Sequence, residues 1–374
     1  MTPLLIRFFT AVAKNRQRNI LVIRLSALGD VAIAAPLVKE YARQNPGINF
    51  YMLSQPRYEP MFSGDTNLFF IPIDTKKNSQ NYCGGFWKLL HFAGEIVNKY
   101  AITDIADIHD VLRTKALRFG MLGRGVRCRI IDKHHQQRRE IIRKRNKILR
   151  PIMESQRCME EVLVALGLTD IHFTSAGRPI EERAHLSTDV MKIGIAPFAG
   201  HTGKTWPLEK MEEVVRILSG SKKRDNENCT GDNTRKNKLL LFGGGEKEIA
   251  VLNDWASKYP NTEVVAGKHT MVEELELMRN LNVMISMDSA NMHLASLEGT
   301  PVVSIWGATH PYAGYYGYRQ NVNNAVQVDL PCRPCTIYGA KPCYKGNYEC
   351  LQKITPMMVV QKVEDVLKSG ERKS

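Results

Sequence analysis

Short apolar runs alternate with amphipathic stretches along the chain, in two separate series. Each apolar run is typical of a buried strand, and the residues that follow it have helical periodicity. Strands that alternate with helices predict parallel sheets covered by helices on both faces. The predicted strands are residues 20–23, 48–53, 68–73, 102–108 and 127–131 in the first series, and 192–197, 238–242, 262–266, 283–287 and 302–306 in the second.

The amphipathic stretches predict the helices. A helix at 31–43 follows the small-residue turn that ends at Asp30, and this aspartate is well placed as the N-cap because its carboxylate can accept free amides of the first turn. The second series predicts four helices, at residues 208–218, 246–258, 272–280 and 290–297.

The length of 374 residues and the two series together predict two domains. We expect an N-terminal domain at 1–180, with its boundary inside the polar stretch 175–188, and a C-terminal domain at 181–355. Residues 221–237 contain almost no apolar side chain, which predicts a surface insertion. Residues 356–374 predict a C-terminal helix that could pack back on the N-terminal domain.

Positive charge is concentrated in one segment of the chain. Of a net charge of +14, residues 111–150 carry fourteen Lys or Arg against two acids, Asp132 and Glu140. A polyanion is the natural partner of such a segment, either nucleic acid, an anionic membrane or a phosphorylated substrate, although a solvated helix face without a partner is an alternative. Phe119 is the one aromatic residue there, which argues against a nucleic-acid surface.

Three turns in the second series suit an anionic ligand. Residues 200–204, 243–246 and 288–291 each follow a predicted strand, at the sheet edge where ligands bind in parallel α/β folds. The third turn opens a helix whose free amides can hold a diphosphate, with Lys204 as a counter-charge. Each turn alone is an ordinary loop, but together they predict a site for a nucleotide or a nucleotide sugar.

Two better-known phosphate motifs are excluded by spacing. Gly203-Lys204-Thr205 imitates the end of a P-loop, but Phe198 stands where that motif needs glycine and Pro207 interrupts the helix that should follow. The dinucleotide pattern also fails, because the turn 243–245 lacks the required third glycine.

Four of the eight cysteines form a cluster near the C-terminus, at Cys332, Cys335, Cys343 and Cys350. Zinc, disulfides and unligated thiols all fit this spacing. Eight cysteines are too few for a disulfide scaffold in a chain of this length, so we expect a reducing, cytosolic compartment.

Several motifs stand in one order along the chain: ILVIRLSALGDV at 20–31, KTWP at 204–207, MDSANMHLA at 287–295, GTPVV at 299–303 and WG at 306–307. In these motifs and their order the sequence resembles the ADP-heptose:lipopolysaccharide heptosyltransferases, glycosyltransferase family 9. The cysteine cluster and the Ile354-Thr355-Pro356 that follows it also resemble the family's C-terminal pattern.

The resemblance implies a GT-B fold, which consists of two Rossmann-like, doubly wound parallel-sheet domains facing across a cleft. It implies an inverting transfer of heptose, or a related sugar, from a nucleotide diphosphate sugar such as ADP-heptose to the phosphorylated lipid A and inner core of lipopolysaccharide, without a metal or another cofactor. A GT-B nucleotide-sugar epimerase is an alternative that leaves the basic segment unexplained. A basic nucleic-acid-binding protein is the alternative from a different class.

The resemblance also assigns roles to individual residues. Asp30 resembles the catalytic base, with an N-cap as the plainer alternative, and the family commonly has glycine where Ala290 stands here. Arg113, Lys115 and Arg118 follow a predicted strand and are our candidates for acceptor binding. The donor-binding candidates are Thr202 and Lys204 at the phosphates, Glu246 at the nucleoside, and Asp288, Ser289, Ala290 and His293 at the sugar and diphosphate.

We expect a cytoplasmic protein associated peripherally with the inner membrane. No apolar run approaches the roughly 18 to 20 residues that span a bilayer. Residues 3–18 have the pattern of a short amphipathic helix, either an interfacial anchor or a packing helix. Residues 138–150 are basic and could hold acceptor phosphates or an anionic leaflet.

Overall fold

The computed structural model describes residues 17–74, 85–143, 149–173, 190–221 and 236–371. The amphipathic pattern at 3–18, the domain boundary at 175–188 and the insertion at 221–237 therefore lie almost wholly outside the described residues.

Eleven strands and eleven α-helices form the described part of the chain. The strands are β1 Arg18–Ile23, β2 Ile48–Ser54, β3 Leu68–Pro72, β4 Asp104–Asp107, β5 Arg127–Ile130, β6 Val190–Ala196, β7 Lys236–Leu241, β8 Thr262–Val264, β9 Val283–Met287, β10 Val302–Ile305 and β11 Ala325–Val326. The helices are α1 Leu28–Gln44, α2 Phe86–Lys99, α3 Leu112–Met121, α4 His135–Arg143, α5 Ser155–Ala165, α6 Leu208–Leu218, α7 Glu246–Lys258, α8 Met271–Arg279, α9 Ala290–Leu297, α10 Glu349–Gln352 and α11 Pro356–Glu371.

Contacts within the chain divide it into two compact units. Unit 1 contains the described residues up to Asp132 together with Cys158–His172, and unit 2 contains Lys133–Arg157 together with the described residues from Phe173 onward. The chain therefore passes between the units more than once, whereas the sequence predicts a single boundary near residue 180.

Unit 1 is built on a five-stranded parallel sheet in the order β3-β2-β1-β4-β5. The central strand β1 pairs with β2 on one side and β4 on the other, and its Ile20 to Ile23 are fully buried. The chain runs from β1 outward through β2 and β3, and then returns to place β4 on the opposite side of β1. The connections therefore diverge at the carboxyl ends of β1 and β4, the switch point where ligands bind in open α/β sheets.

Unit 2 is built on a six-stranded parallel sheet in the order β11-β10-β9-β6-β7-β8. Its first strand, β6, lies between β7 and β9, so the switch point of this sheet lies at the carboxyl ends of β6 and β9. Trp206, Trp255 and the strands' apolar side chains form its core. The two parallel-sheet units confirm the predicted fold class.

The C-terminal helix α11 packs on unit 2. Val359, Val360 and Val363 on its apolar face are buried in the core of that unit, where the helix contacts α6, β9 and β10. Lys210 on α6 holds the chain before α11 through a hydrogen bond from its ammonium group to Ile354 O at 3.0 Å. The valine face of this helix completes the hydrophobic core of unit 2, and its packing back on the N-terminal domain stays a prediction.

Helix α1 begins three residues earlier than the sequence predicts. Ala27 is the N-cap, Val31 N donates to Ala27 O at 3.0 Å, and Asp30 is the third residue of the helix. The N-cap prediction for Asp30 is wrong because Leu28 and Gly29 already adopt helical geometry. None of the described helices combines the length and the apolar character that crossing a bilayer requires.

Candidate active site

Asp30 lies at the switch point of unit 1, in the first turn of α1. Its Oδ2 is 2.7 Å from Nη2 of Arg24 and accepts the amide of Ala27 at 3.4 Å. Within the described part of the chain, both of these polar contacts of Asp30 involve Oδ2. The carboxylate is thereby oriented by one oxygen, and its other oxygen can receive a proton from a substrate hydroxyl.

Arg24 is a buried residue that sequence reasoning missed. Besides the ion pair with Asp30, its guanidinium donates to Ser26 O at 3.0 Å and to Ile108 O at 2.8 Å. Since Ile108 follows β4, this one side chain ties together the turns after β1 and β4. A charged residue at the end of an otherwise apolar strand was the signal that could have identified it.

The turn after β4 is fixed by a fully buried carboxylate, Asp107. Its Oδ1 accepts the amides of His109 at 3.0 Å and Asp110 at 2.9 Å, and His109 Nδ1 in turn accepts the amide of Leu25 at 3.3 Å. These bonds hold the turns after β1 and β4 against each other. The position of Asp30, which follows β1, is therefore fixed by contacts with the turn after β4.

The three predicted acceptor-binding residues differ in their surroundings. Arg118 is 2.5 Å from Asp107 and 3.2 Å from Asp110, so its charge is already balanced by two carboxylates of the same turn. Arg113 and Lys115 are exposed on α3. A role for these three residues in acceptor binding stays a prediction, and exposure favours Arg113 and Lys115 over Arg118.

Lys204 and Asp288 meet at the switch point of unit 2. Lys204 Nζ is 2.9 Å from Asp288 Oδ2, and the same oxygen accepts the hydroxyl of Thr309 at 2.7 Å. Asp288 is almost wholly buried, whereas 17% of the Lys204 side chain is exposed. The structure therefore brings together two residues that lie 84 positions apart in the sequence, and it adds Thr309, which sequence reasoning missed.

Two glycines allow Lys204 to approach this position. A Cβ atom at Gly203 would lie 2.8 Å from Gly339 O, and a Cβ atom at Gly339, whose φ is +78°, would lie 2.6 Å from Cγ of Lys204. Gly203 O also accepts the amide of Ala308 at 2.8 Å. The loops after β6 and β10 and the segment around Gly339 therefore pack too closely here for any side chain at the two glycines.

Helix α9 begins directly beside the Lys204–Asp288 pair. Ser289 is its N-cap, Ala290 is its first residue, and His293 is buried one turn later. Ala290 is not among the residues with positive φ, so the helix start accepts alanine where the family commonly has glycine. The first-turn amides of a helix lack intrahelical partners and are suited to an anion.

Thr202 and Glu246 lie on the same sheet edge as this pair. Thr202 is exposed at the start of the short 3₁₀ helix Thr202–Lys204, and Glu246 is exposed as the first residue of α7, after β7. Because β9, β6 and β7 are neighbours, the donor-binding candidates follow three adjacent strands. Their ligand contacts stay predictions.

The described part of the basic segment is partly structural. Arg138 is buried in unit 2, donates to Lys133 O at 2.7 Å, and stacks over the ring of Tyr315 at 4.6 Å. Arg138 is therefore not displayed for an acceptor phosphate or a leaflet, in contrast to the sequence-based expectation. Residues 144–148 lie outside the part of the chain that the structure describes.

Most of the unit that contains the Lys204–Asp288 pair matches the model of a known family. The model of the family described as "Glycosyltransferase family 9 (heptosyltransferase)" matches residues 159–343, a range that includes every donor-binding candidate. This match to the glycosyltransferase family 9 model covers just under half of the chain. Asp30 lies outside the matched range.

One curated relative and several solved structures are also similar to this chain. The chain is 27% identical to Lipopolysaccharide heptosyltransferase 3 of Escherichia coli over 149 residues, which cover 39% of this chain and 38% of that relative. A glycosyltransferase family 9 structure from Veillonella parvula has a TM-score of 0.68 at 20% identity and covers 94% of this chain and 98% of that one. The E. coli heptosyltransferase WaaC with ADP-2-deoxy-2-fluoro heptose has a TM-score of 0.61 at 16% identity, with 93% and 99% covered. The structural matches confirm a GT-B fold.

The four C-terminal cysteines line one common pocket. Cys332, Cys335, Cys343 and Cys350 are all free thiols in the structure. In the described residues, no group of three or more His, Cys, Asp or Glu side chains is arranged to hold a metal ion. Burial raises the pKa of the Cys350 thiol to about 11 and also raises the pKa of Cys335, so both are protonated at neutral pH.

We expect the four C-terminal thiols to react with a thiol reagent in the native protein. We also expect that they bind no stoichiometric metal ion. Cys350 should react last at pH 8, because a thiolate is the reactive form and its pKa is raised by burial. The rate of its modification should rise steeply between about pH 9 and pH 11. Elemental analysis and time-resolved thiol titration measure both points, and one zinc per chain with the four thiols protected would contradict the expectation.

Proposed function

We propose that this protein is an inverting glycosyltransferase that moves heptose, or a related sugar, from a nucleotide diphosphate sugar to the phosphorylated inner core of lipopolysaccharide. The observation that carries the proposal is the Lys204–Asp288 pair, which lies beside the start of α9 at the switch point of unit 2. A basic side chain and free helix amides at one sheet edge are suited to a diphosphate.

ADP-heptose is the donor that the proposal favours. Lys204 contacts the diphosphate, Thr202 supports it from the adjacent turn, and Glu246 binds the nucleoside after β7. Asp288, Ser289, Ala290 and His293 bind the sugar and diphosphate at the start of α9. Support for this choice comes from the fold shared with the E. coli heptosyltransferase that was solved with an ADP-heptose analogue.

The proposed chemistry is a single displacement. The acceptor hydroxyl oxygen bonds to the anomeric carbon while the bond from that carbon to the diphosphate oxygen breaks, which inverts the anomeric centre. Asp30 takes the hydroxyl proton, and Lys204 with the α9 amides stabilises the negative charge that develops on the leaving diphosphate. These protein groups supply the charge stabilisation, so the proposal needs no metal.

The proposed acceptor is the polyanionic lipid A and inner core. Arg113 and Lys115, which are exposed on α3, supply positive charge for its phosphates. Such an acceptor is anchored in a bilayer, so the proposal also places the protein at the cytoplasmic face of the inner membrane, as a peripheral protein. Nucleic acid is not a partner in this proposal.

A thermal-shift panel of nucleotide sugars tests the donor class. We expect ADP-heptose to raise the melting temperature most, since a ligand at a hundredfold excess over its Kd stabilises the folded state by about 2.7 kcal/mol. UDP-linked sugars and an oligonucleotide serve as controls, the latter over a series of salt concentrations. Failure of every ADP-linked sugar to stabilise the protein would contradict the proposal, and conversion of a nucleotide sugar without any acceptor would identify an epimerase.

A further inference from the structure

Helices α2 and α3 of unit 1 expose five large apolar side chains, with exposed fractions between 51% and 84%. We call these residues the α2–α3 surface. Large apolar side chains that are exposed singly are ordinary, but a contiguous group marks an interaction site. The members are Phe86, Trp87, Leu112, Phe119 and Leu122.

Helices α2 and α3 are in close contact between Trp87 and Phe119 of this group. A Cβ atom at Gly120 would lie 2.9 Å from Leu90 O and 2.9 Å from Cβ of Ala93, so α3 crosses α2 in direct backbone contact. Phe119 precedes that crossing point on α3, and Trp87 lies one turn before it on α2. The rings of Phe86 and Trp87 meet edge to face, with their centroids 5.5 Å apart.

The spacing along α3 places its apolar members on one face. Leu112, Lys115 and Phe119 have the spacing of one face of a helix, and Leu122 is the residue directly after α3. The opposite face carries the buried Leu117 and Met121, which pack in the core of unit 1. The exposed face is therefore a second apolar face that the core of this unit does not use.

The exposed charges on α3 and directly after it are all basic. Residues 111–131 contain no acidic side chain, and Arg113, Lys115 and Arg124 are exposed there. The first turns of α2 and α3 also lack acidic residues. Before α3, Asp110 binds Arg118 at 3.2 Å, and on α2 the exposed Glu95 lies 3.3 Å from His91.

We propose that the α2–α3 surface docks the protein on an anionic lipid bilayer. Aromatic side chains favour the level of the lipid headgroups, and basic residues beside them are attracted to lipid phosphates. A second copy of the chain is a poorer occupant, since a symmetric dimer through this face would oppose arginines and lysines of like charge. The inference rests on the proposed function, in which the acceptor is anchored in a membrane.

The fluorescence of Trp87 reports directly on the α2–α3 surface. The chain has four tryptophans; Trp87 is 79% exposed, whereas Trp206, Trp255 and Trp306 are at most 2% exposed. Addition of vesicles that contain phosphatidylglycerol should shift the emission to shorter wavelength and reduce quenching by acrylamide. Vesicles of phosphatidylcholine alone should produce a smaller change, and high salt should weaken the response to the anionic vesicles.

Variants test whether this surface causes the binding. Phe119→Ser should weaken partitioning on the order of tenfold, because it removes one large apolar side chain from the lipid contact. Arg124→Gln should weaken it about fivefold, which corresponds to about 1 kcal/mol for one basic residue near the anionic surface. Val272→Ser is the matched control, since Val272 is 58% exposed on α8 of unit 2 and should leave partitioning unchanged.

Co-sedimentation with vesicles measures these differences without donor or acceptor, so its outcome is independent of the proposed reaction. Equal vesicle binding by Phe119→Ser and Val272→Ser would overturn the proposal. A shift in Trp87 emission that depends on protein concentration and appears without vesicles would identify a second copy instead. If vesicles bind but no nucleotide sugar stabilises the protein, the docking surface stands and the proposed function fails.

Discussion

Replacement of Asp30 with asparagine should lower turnover by a factor of about 10² to 10⁴, the loss expected for a general base. Asparagine retains an oxygen that can accept the amide of Ala27, so the start of α1 should be preserved. The variant loses the charge of the ion pair with Arg24, but the buried guanidinium keeps its hydrogen bonds to Ser26 O and Ile108 O. The expected result is therefore a nearly normal melting temperature, normal donor affinity and strongly reduced turnover in a steady-state transfer assay.

Glu40→Gln is the matched control for this variant. Glu40 lies on the same helix, its side chain is 30% exposed compared with 31% for Asp30, and it also pairs with an arginine, Arg43. The control variant should retain normal turnover, because loss of a carboxylate on α1 is not in itself harmful. If Asp30→Asn keeps more than about a tenth of wild-type turnover, the assignment of Asp30 as the base is wrong.

The local pattern of the sequence was sufficient to predict most elements of both sheets. Helices α6, α7 and α9 and strand β9 have the bounds that the sequence predicts. Their ends are marked by local chemistry, such as Pro207 before α6 and the glycine triplet before α7. Apolar runs define strands so clearly here because a parallel strand that is covered on both faces needs an apolar side chain at nearly every position.

The contacts that build the candidate sites could not be predicted in the same way, because they join residues far apart in the chain. Thr309 reaches Asp288 only because β9 and β10 are neighbours, and Gly339 is required only because Lys204 passes against it. The packing of α11 on unit 2 likewise depends on contacts between its valines and core residues that are distant in the sequence. The order of strands, which creates both switch points, is a property of the whole unit.

Some sequence signals were correct about residue type but not about role. The positive charge on Arg118 and Arg138 suggested phosphate ligands, yet Arg118 is paired with Asp107 and Asp110, and Arg138 is buried against Tyr315. Arginine is well suited to such internal pairs because its planar guanidinium forms several hydrogen bonds at once. Net charge therefore indicates a class of partner, whereas the structure separates exposed basic residues from those that hold the fold together.

Replacement of Lys204 with alanine should weaken the binding of a nucleotide diphosphate roughly tenfold to 150-fold, since a hydrogen bond to a charged group contributes about 1.5 to 3 kcal/mol. Acceptor binding should change much less. The melting temperature should also fall, because the almost wholly buried Asp288 loses the cation 2.9 Å away. Isothermal titration with ADP measures the affinity, and Lys258→Ala is the matched control, since Lys258 is an ion-paired lysine on α7 of the same unit.

A double variant separates the two ways in which Lys204→Ala could weaken binding. Without its lysine, Asp288 becomes an uncompensated carboxylate that would repel a diphosphate even if Lys204 never touched the ligand. In Lys204→Ala/Asp288→Asn that charge is gone, and the amide can still accept the hydroxyl of Thr309, the second partner of Asp288. If Lys204 binds the diphosphate directly, the double variant should remain weak while its melting temperature recovers. Recovery of ADP affinity to the wild-type value would show that Lys204 serves only to neutralise Asp288.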